Sequence, residues 1–543
     1  MKMPENINKK NVAISAIYIA LILIVFTAID LIYSMINKNY HYGMTRYLPI
    51  MIISIALIPK PKLKLGLYIL MLTMSFVQLV HFEYFGSLLR AIEFYSLFLG
   101  LNDVKESFFA SLHILIVPSI LILSAFFIIF FIHKKFKDII ISPKHFGKLL
   151  IVLLTLFIIN DVMIVYKTNN KLYSKSSKMI YPISGDSSAF NIFKTLNYFA
   201  IGILPKKIMG NHGHFKSLSK PKLAKKSPDV NVIFIIGETL RAKNVSFLGY
   251  KKNHTTPLLE NLFKEKPNNT FQNWVYSGGT MSKTSIAVLT NRLKYPGTME
   301  QVVKKENCIF NLAKTNNFYT VFASSQYKEF LSIVHTLVCN DYLDENFARD
   351  DIPSKVKNST GQDEDLLSLL KQVDLEGKSN LITYQMVGSH SPYETRYPKK
   401  WDKFKSTFDN TVLYSDFVLT SMIKYILNNV KKTTYFVYVS DHGELLHEKG
   451  RNGHGWFEPE VYMVPFVFAS NKPIPESLQN DLKNIKSHYE ISTLVTKLLG
   501  YDVEIQSMKE KTIYVNGSDL DALGGFLRID IKDGKKVSLK KNN

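Results

Sequence analysis

Apolar residues in this 543-residue chain are gathered into long runs in its first third. Residues 12–36, 65–80, 108–132 and 149–166 are such runs, and a shorter one covers 47–58. A membrane span needs ~20 mostly apolar residues, so each run, with its flanks, is a candidate span. The first exceeds the ~7–15-residue apolar part of a secretory signal, and no A-x-A cleavage site follows it. It is therefore read as retained. The expectation is an α-helical membrane domain of five transmembrane helices within residues 1–166.

The formal net charge of +22 raises the question of a nucleic-acid partner, but the lysines are placed otherwise. Lys9 and Lys10 precede the first run, Lys60, Lys62 and Lys64 separate the second from the third, and Lys134, Lys135, Lys137, Lys144 and Lys148 separate the fourth from the fifth. Alternate loops carry only Lys38, Arg46, Arg90 and Lys105. Positive loops stay cytoplasmic, so the N-terminus lies inside and everything after Tyr166 lies outside. Much of the basic excess is then topological, and a nucleic-acid partner is not expected.

Residues 167–229 read as a juxtamembrane linker, either with an amphipathic piece at 190–204 lying along the bilayer and a basic stretch at 216–226 near its head groups, or as a plain solvated linker. From Val230 onward, short β-branched and aromatic runs at 232–236, 319–323, 381–386, 435–439 and 464–469 alternate with amphipathic stretches such as 363–373 and 412–429. That order predicts an α/β domain over 230–543 with a mostly parallel sheet covered on both faces. Ligands of such sheets bind beyond the carboxyl ends of the strands.

Three of those ends carry chemistry. One strand runs into Gly237-Glu238-Thr239, a second into Ser440-Asp441-His442-Gly443-Glu444, and a third into Val387-Gly388-Ser389-His390. Singly, an acid or a histidine there is commonly a cap or a solvated loop residue. Together, Glu238, Asp441, His442 and His390 offer the oxygen and imidazole donors that suit zinc or another divalent ion. The Ser/Thr/Gly-rich segment 277–291 feeds an apolar helix start, where free backbone N–H groups favour a phosphoryl group. A hydroxyl from Thr280, Ser282, Thr284 or Ser285 could serve there as a nucleophile, or simply cap the helix. His454, flanked by Gly453 and Gly455, fits either a mobile site residue or a solvated loop histidine, whereas His254, His447 and His488 are read as surface residues.

With these motifs in view, the chain resembles the inner-membrane phosphoethanolamine transferases of the alkaline-phosphatase and sulfatase superfamily, which include the colistin-resistance enzymes. The matching residues are Gly237 to Arg241 with Gly249, Tyr250 and Thr255 to Pro257; Gln385 to Pro392; Phe408 to Asn410 with Tyr414 to Asp416; and Ser440 to Glu444 with His454. The resemblance implies that Glu238, Asp441 and His442 bind a catalytic Zn2+, and that His390 and His454 bind substrate phosphate or a second zinc. Laid on the family's Cys-Gly-Thr-x-Thr-x-x-Ser-x-Pro-Cys pattern, Gly279, Thr280 and Ser285 match. Ser282 then falls at the nucleophile position and is the fourth zinc ligand, with Thr284 as the fallback. Ser282 stands where the family usually has Thr, Gly278 and Val288 where it has cysteines, and Ala287 where it has proline.

The implied reaction moves phosphoethanolamine from phosphatidylethanolamine to lipopolysaccharide, on lipid A or core, by a monomeric multi-pass inner-membrane protein with a periplasmic catalytic domain. A glycerol-phosphate transferase or phosphodiesterase on the same scaffold is the alternative, and a non-enzymatic binding or scaffold protein is a third. A sulfatase proper is not expected, since segment 277–291 lacks the Cys/Ser-x-Pro-x-Arg motif. Cys308 and Cys339, the only cysteines, either pair or remain free.

Overall fold

The structure is a computed structural model that describes residues 9–38, 40, 47–85, 88–89, 112–136, 155, 159, 187–200, 204, 218–296, 299–328, 331, 338–505, 510–520, 525–532 and 535–542. Its N-terminal helices are α1 (Lys9–Ile36), α2 (Tyr47–Ala56), α3 (Pro61–Phe85), α4 (Ile116–Phe136) and α5 (Ser188–Tyr198). Among the described residues, three helices are long and apolar enough to cross a membrane, over Lys10–Ile36, Pro61–Glu83 and Ile116–Phe136. The run at 47–58 is helical for only 10 residues, ~15 Å at 1.5 Å per residue, half of a bilayer core. The run at 149–166 lies outside the described residues except for positions 155 and 159.

Tyr18, Ile22, Phe26, Ile29 and Tyr33 bury one stripe of α1 at helical spacing, while Ile17, Ile24, Leu31, Ile32 and Met35 stay exposed. A helix apolar on its outward face as well suits lipid, not water. Asp30, the one acid in that run, is buried and fully used. It accepts from the Tyr40 hydroxyl at 2.7 Å and from the Ser188 backbone N–H, 3.2 Å from each of its oxygens. That bond caps the positive start of α5. Helix α5 is held further by Gln78 donating to Asn191 at 3.1 Å and by Thr195 donating to the Leu89 carbonyl at 3.0 Å. Within the amphipathic piece expected along the bilayer, residues 190–198 thus belong to a helix packed against α3, where Asn191 finds a partner in Gln78.

The strands are β1 (Lys222–Leu223), β2 (Asn231–Gly237), β3 (Thr270–Tyr276), β4 (Tyr319–Ser324), β5 (Glu345–Phe347), β6 (Asn380–Gln385), β7 (Thr434–Ser440), β8 (Leu445–Leu446), β9 (Asn452–Gly453), β10 (Met463–Ser470), β11 (Tyr501–Asp502), β12 (Glu510–Asn516), β13 (Phe526–Lys532) and β14 (Lys535–Asn542). Seven of them form the central sheet in the order β3-β10-β7-β2-β6-β4-β5. Strands β7, β2, β6, β4 and β5 run parallel, while β10 runs antiparallel to both of its neighbours. Side chains alternate across the sheet, with Val232, Phe234 and Ile236 in one core and Ile233 and Ile235 in the other. Burial on both faces explains the unbroken apolar runs. Strands β12, β13 and β14 form a separate antiparallel sheet. It is not among the strands expected from the sequence, although β13 alternates buried Leu527, Ile529 and Ile531 with charged Arg528, Asp530 and Lys532.

Cys308 and Cys339 form a disulfide and are both buried. Closing a loop of 31 residues stabilises a fold by about 3–4 kcal/mol through the entropy removed from the unfolded chain. Changing both cysteines to serine should therefore lower the unfolding free energy by a similar amount, and the denaturant midpoint with it. The check is unfolding with and without reductant, and a midpoint insensitive to both treatments would contradict the linkage.

Candidate active site

Gly237 lies opposite Ser440 in the parallel register of β2 and β7. The residues that follow, Glu238 and Asp441, therefore leave the sheet side by side. His442 comes next, and ligand atoms of the three all lie within 4.8 Å of one another. Backbone geometry enforces this. Thr239 sits at φ 59°, in the left-handed region that disfavours a β-branched residue. There its N–H reaches Asp441 Oδ1 at 3.0 Å and its hydroxyl reaches Glu238 Oε1 at 2.7 Å. His442 Nδ1 faces the Gly443 carbonyl at 2.9 Å, which leaves Nε2 as the atom with a free lone pair.

Two buried carboxylates so close together repel. Burial and the neighbouring Glu238 push the Asp441 carboxyl well above its usual range. Asp441 Oδ2 is buried without a hydrogen-bond partner, 3.4 Å from His442 Nε2. An orphaned carboxylate oxygen, a second carboxylate and an imidazole lone pair, all dry, are a donor set that fits a divalent cation and fits little else.

The serine-rich turn meets this cluster. Helix α6 (Pro257–Glu265) follows β2, and α7 (Ser282–Thr290) follows β3. Met281, not a hydroxyl residue, is the N-cap of α7, and no side chain caps it. The Ser282 hydroxyl, released from that duty, donates toward Glu238 at 3.1 and 3.2 Å and lies 3.1 Å from His442 Nε2. Thr284 points elsewhere, donating to the Met281 and Gly517 carbonyls at 3.0 and 3.1 Å. Ser285 donates to the Gly279 carbonyl at 3.0 Å, and the Thr280 hydroxyl is buried without a partner. Of the four hydroxyls left open by the sequence, Ser282 is the one brought to the carboxylate–histidine cluster. Gly278 packs flush against Val288, where a Cβ at 278 would stand 2.7 Å from the Val288 Cβ. The two positions that carry cysteines in the resembled family are thus neighbours here, joined by packing alone.

His390 follows β6. Its loop is pinned by Asp363, which accepts from Val387 N and Gly388 N at 2.9 and 3.0 Å, and by Ser389 N donating to the Glu238 carbonyl at 2.9 Å. Gly388, at φ +50°, must be glycine, since a Cβ there would meet the Glu238 carbonyl at 2.7 Å. His454 follows β9, which rests against α3. Its ring centroid is 4.7 Å from that of His442, and its Nδ1 is buried without a partner. Burial, with His442 and His390 nearby, holds it well below the usual histidine value, which favours the neutral imidazole.

Three residues at the site carry no signal in the sequence pattern. Gln326, in the loop after β4, donates to Glu238 Oε2 at 2.9 Å. Tyr393 donates to Glu444 at 2.7 Å. His488, expected at the surface, is instead buried at the start of α8 (His488–Leu498), with Nε2 3.0 Å from the Ser440 carbonyl. The expectation fails because a histidine at a helix start has no sequence mark of what packs over it. His254 and His447 are exposed as expected.

A mostly parallel sheet with acids and histidines at its carboxyl edge, and a serine-headed helix facing them, is the α/β domain of the alkaline-phosphatase and sulfatase type. Residues 230–501 match the Sulfatase family, and the chain belongs to it. The resemblance to phosphoethanolamine transferases is borne out by its relatives. Phosphoethanolamine transferase EptA of Escherichia coli is 24% identical over 383 residues, 64% of this chain and 65% of that protein. The Kdo(2)-lipid A phosphoethanolamine 7''-transferase of the same organism is 28% identical over 309 residues, 50% of this chain and 52% of that protein. The matches thus span about half to two thirds of these relatives' length. The integral membrane lipooligosaccharide phosphoethanolamine transferase A of Neisseria meningitidis shares the fold, with a TM-score of 0.57 at 18% identity over 89% of this chain and 95% of that one.

Proposed function

We propose that this chain is a phosphoethanolamine transferase that takes its cargo from phosphatidylethanolamine and delivers it to lipopolysaccharide, on lipid A or core. The observation that carries the reading is the Ser282 hydroxyl held between Glu238 and His442, beside the unpartnered Asp441 oxygen. Glu238, Asp441 and His442, with Ser282, would hold a zinc ion, whose Lewis acidity would favour the ionised hydroxyl and offset phosphoryl charge. Ser282 Oγ forms the new bond to phosphorus, the bond from phosphorus to the diacylglycerol oxygen breaks, and that oxygen takes the proton. An acceptor oxygen then attacks the same phosphorus, and Ser282 Oγ leaves and regains a proton. His390 and His454 are assigned to binding the phosphoryl group and to these proton movements.

The proposed organisation is a five-span membrane domain over 1–166, a juxtamembrane segment over 167–229 and a periplasmic catalytic domain over 230–543. Both substrates have their tails in a bilayer, so a catalytic face tethered at its surface raises their local concentration. The packing of β9, next to His454, against α3 supports such a placement.

The test uses the full chain in phosphatidylethanolamine vesicles with lipid A and core as acceptors, read by mass spectrometry. Addition of phosphoethanolamine is expected. Addition of glycerol phosphate from phosphatidylglycerol, or release of free head group without transfer, would replace this reading with the alternative named above.

A further inference from the structure

The serine turn is held from a part of the chain outside the Sulfatase match. Asn516, the last residue of β12, donates its backbone N–H to the Gly278 carbonyl at 2.9 Å, and its side-chain Nδ2 donates to the same oxygen at 2.7 Å. Its own carbonyl accepts from Thr280 N at 2.9 Å. Nδ2 also reaches the Tyr489 hydroxyl at 2.9 Å, and the side chain is buried. The turn is stitched elsewhere as well. The Ser277 hydroxyl donates to the Asp441 carbonyl, and Gly455 N donates to the Thr280 carbonyl at 2.8 Å. Residues 277–280 are therefore a junction between the Asp441 strand end, the His454 loop and the C-terminal sheet. A nucleophile placed two residues beyond a loosened junction would lose its alignment, and misplacement by about 1 Å costs about 100-fold in rate.

We infer that Asn516 is a positioning residue for Ser282, acting through the doubly hydrogen-bonded Gly278 carbonyl. The role assigned to Ser282 rests on the function proposed above. Two of the three bonds to the turn come from the Asn516 backbone and survive substitution by any residue that keeps its N–H. The side chain supplies the third, so its removal loosens the turn without detaching the sheet.

The experiment compares wild type, Asn516→Ala and Asn516→Asp as purified full-length proteins. Each is assayed for transfer from phosphatidylethanolamine and, separately, for hydrolysis of a soluble aryl phosphodiester, with zinc content measured in parallel. The alanine variant is expected to lose about 10- to 100-fold in kcat, with donor KM within about threefold and zinc content unchanged. In Asn516→Asp the introduced carboxyl can donate to Gly278 only when protonated. Its activity relative to wild type should therefore rise as pH falls, measured well below the unfolding temperature of each variant across that range, where a pH-dependent loss of folded protein makes no contribution. Wild-type kcat in the alanine variant, or a pH-independent deficit in the aspartate variant, overturns the inference. A wild type that hydrolyses the aryl ester but transfers nothing from phosphatidylethanolamine rejects the substrate reading instead, and the variants are then judged on the ester.

Discussion

Ser282→Ala is expected to lower transfer by at least about 1,000-fold, roughly 4 kcal/mol of transition-state stabilisation, while the protein still inserts and folds. Two features separate this from a folding defect. The Ser282 side chain does not cap α7, and it is only half-buried, so losing its hydrogen bonds to Glu238 and His442 should change stability by about 1 kcal/mol, too little to unfold the domain. The metal-type donors Glu238, Asp441 and His442 remain, so zinc binding should weaken but persist. Thr284→Ala should behave in the opposite way, because its hydroxyl ties the first turn of α7 to Met281 and Gly517. That change should lower stability by about 1–2 kcal/mol and leave much of the turnover. The measurement is acceptor mass spectrometry alongside thermal unfolding of both variants. Full transfer by Ser282→Ala would remove the serine from the chemistry and reopen the choice among the hydroxyls of the turn.

What could be read in advance divides along a physical line. Glu238, Asp441 and His442 were legible because each follows a continuous apolar run, and a run buried on both faces announces where its strand ends. The parallel register that sets Gly237 beside Ser440 then brings the acids together with no further information. Gln326 and Asn516 were illegible for the converse reason. Their partners, Glu238 and Gly278, lie 88 and 238 residues away, and an amide donor to a distant oxygen leaves no local pattern. The strained Thr239 is likewise invisible, since its left-handed backbone is imposed by the contacts it makes on both carboxylates. Pairing of Cys308 with Cys339 turned on a through-space distance that composition does not contain. Membrane helices are legible from length and apolarity, but the short α2 shows that such a run need not be helical throughout.

Asp441→Asn separates metal binding from folding with opposite signs. In the cation-free protein, Asp441 and Glu238 are buried together, and both burial and Glu238 disfavour a charged Asp441. Asparagine keeps the Oδ1 that accepts from Thr239 N and His442 N, at 3.0 and 2.6 Å. It also replaces the orphaned Oδ2 with an N–H group 3.4 Å from the His442 Nε2 lone pair. The metal-free variant should therefore be as stable as wild type or more so, by about 1–3 kcal/mol, since a buried repulsion is relieved and a buried acceptor gains a donor. Zinc affinity should fall by at least about 100-fold, because a charged ligand has become a neutral one and His442 is occupied. Transfer should fall with it. The check is metal content by elemental analysis, and unfolding of chelator-treated and zinc-loaded protein side by side. Wild type should gain stability on zinc loading, whereas the variant should not. A variant that is less stable without metal yet binds zinc as tightly as wild type would show that Asp441 is a structural acid and not a metal ligand.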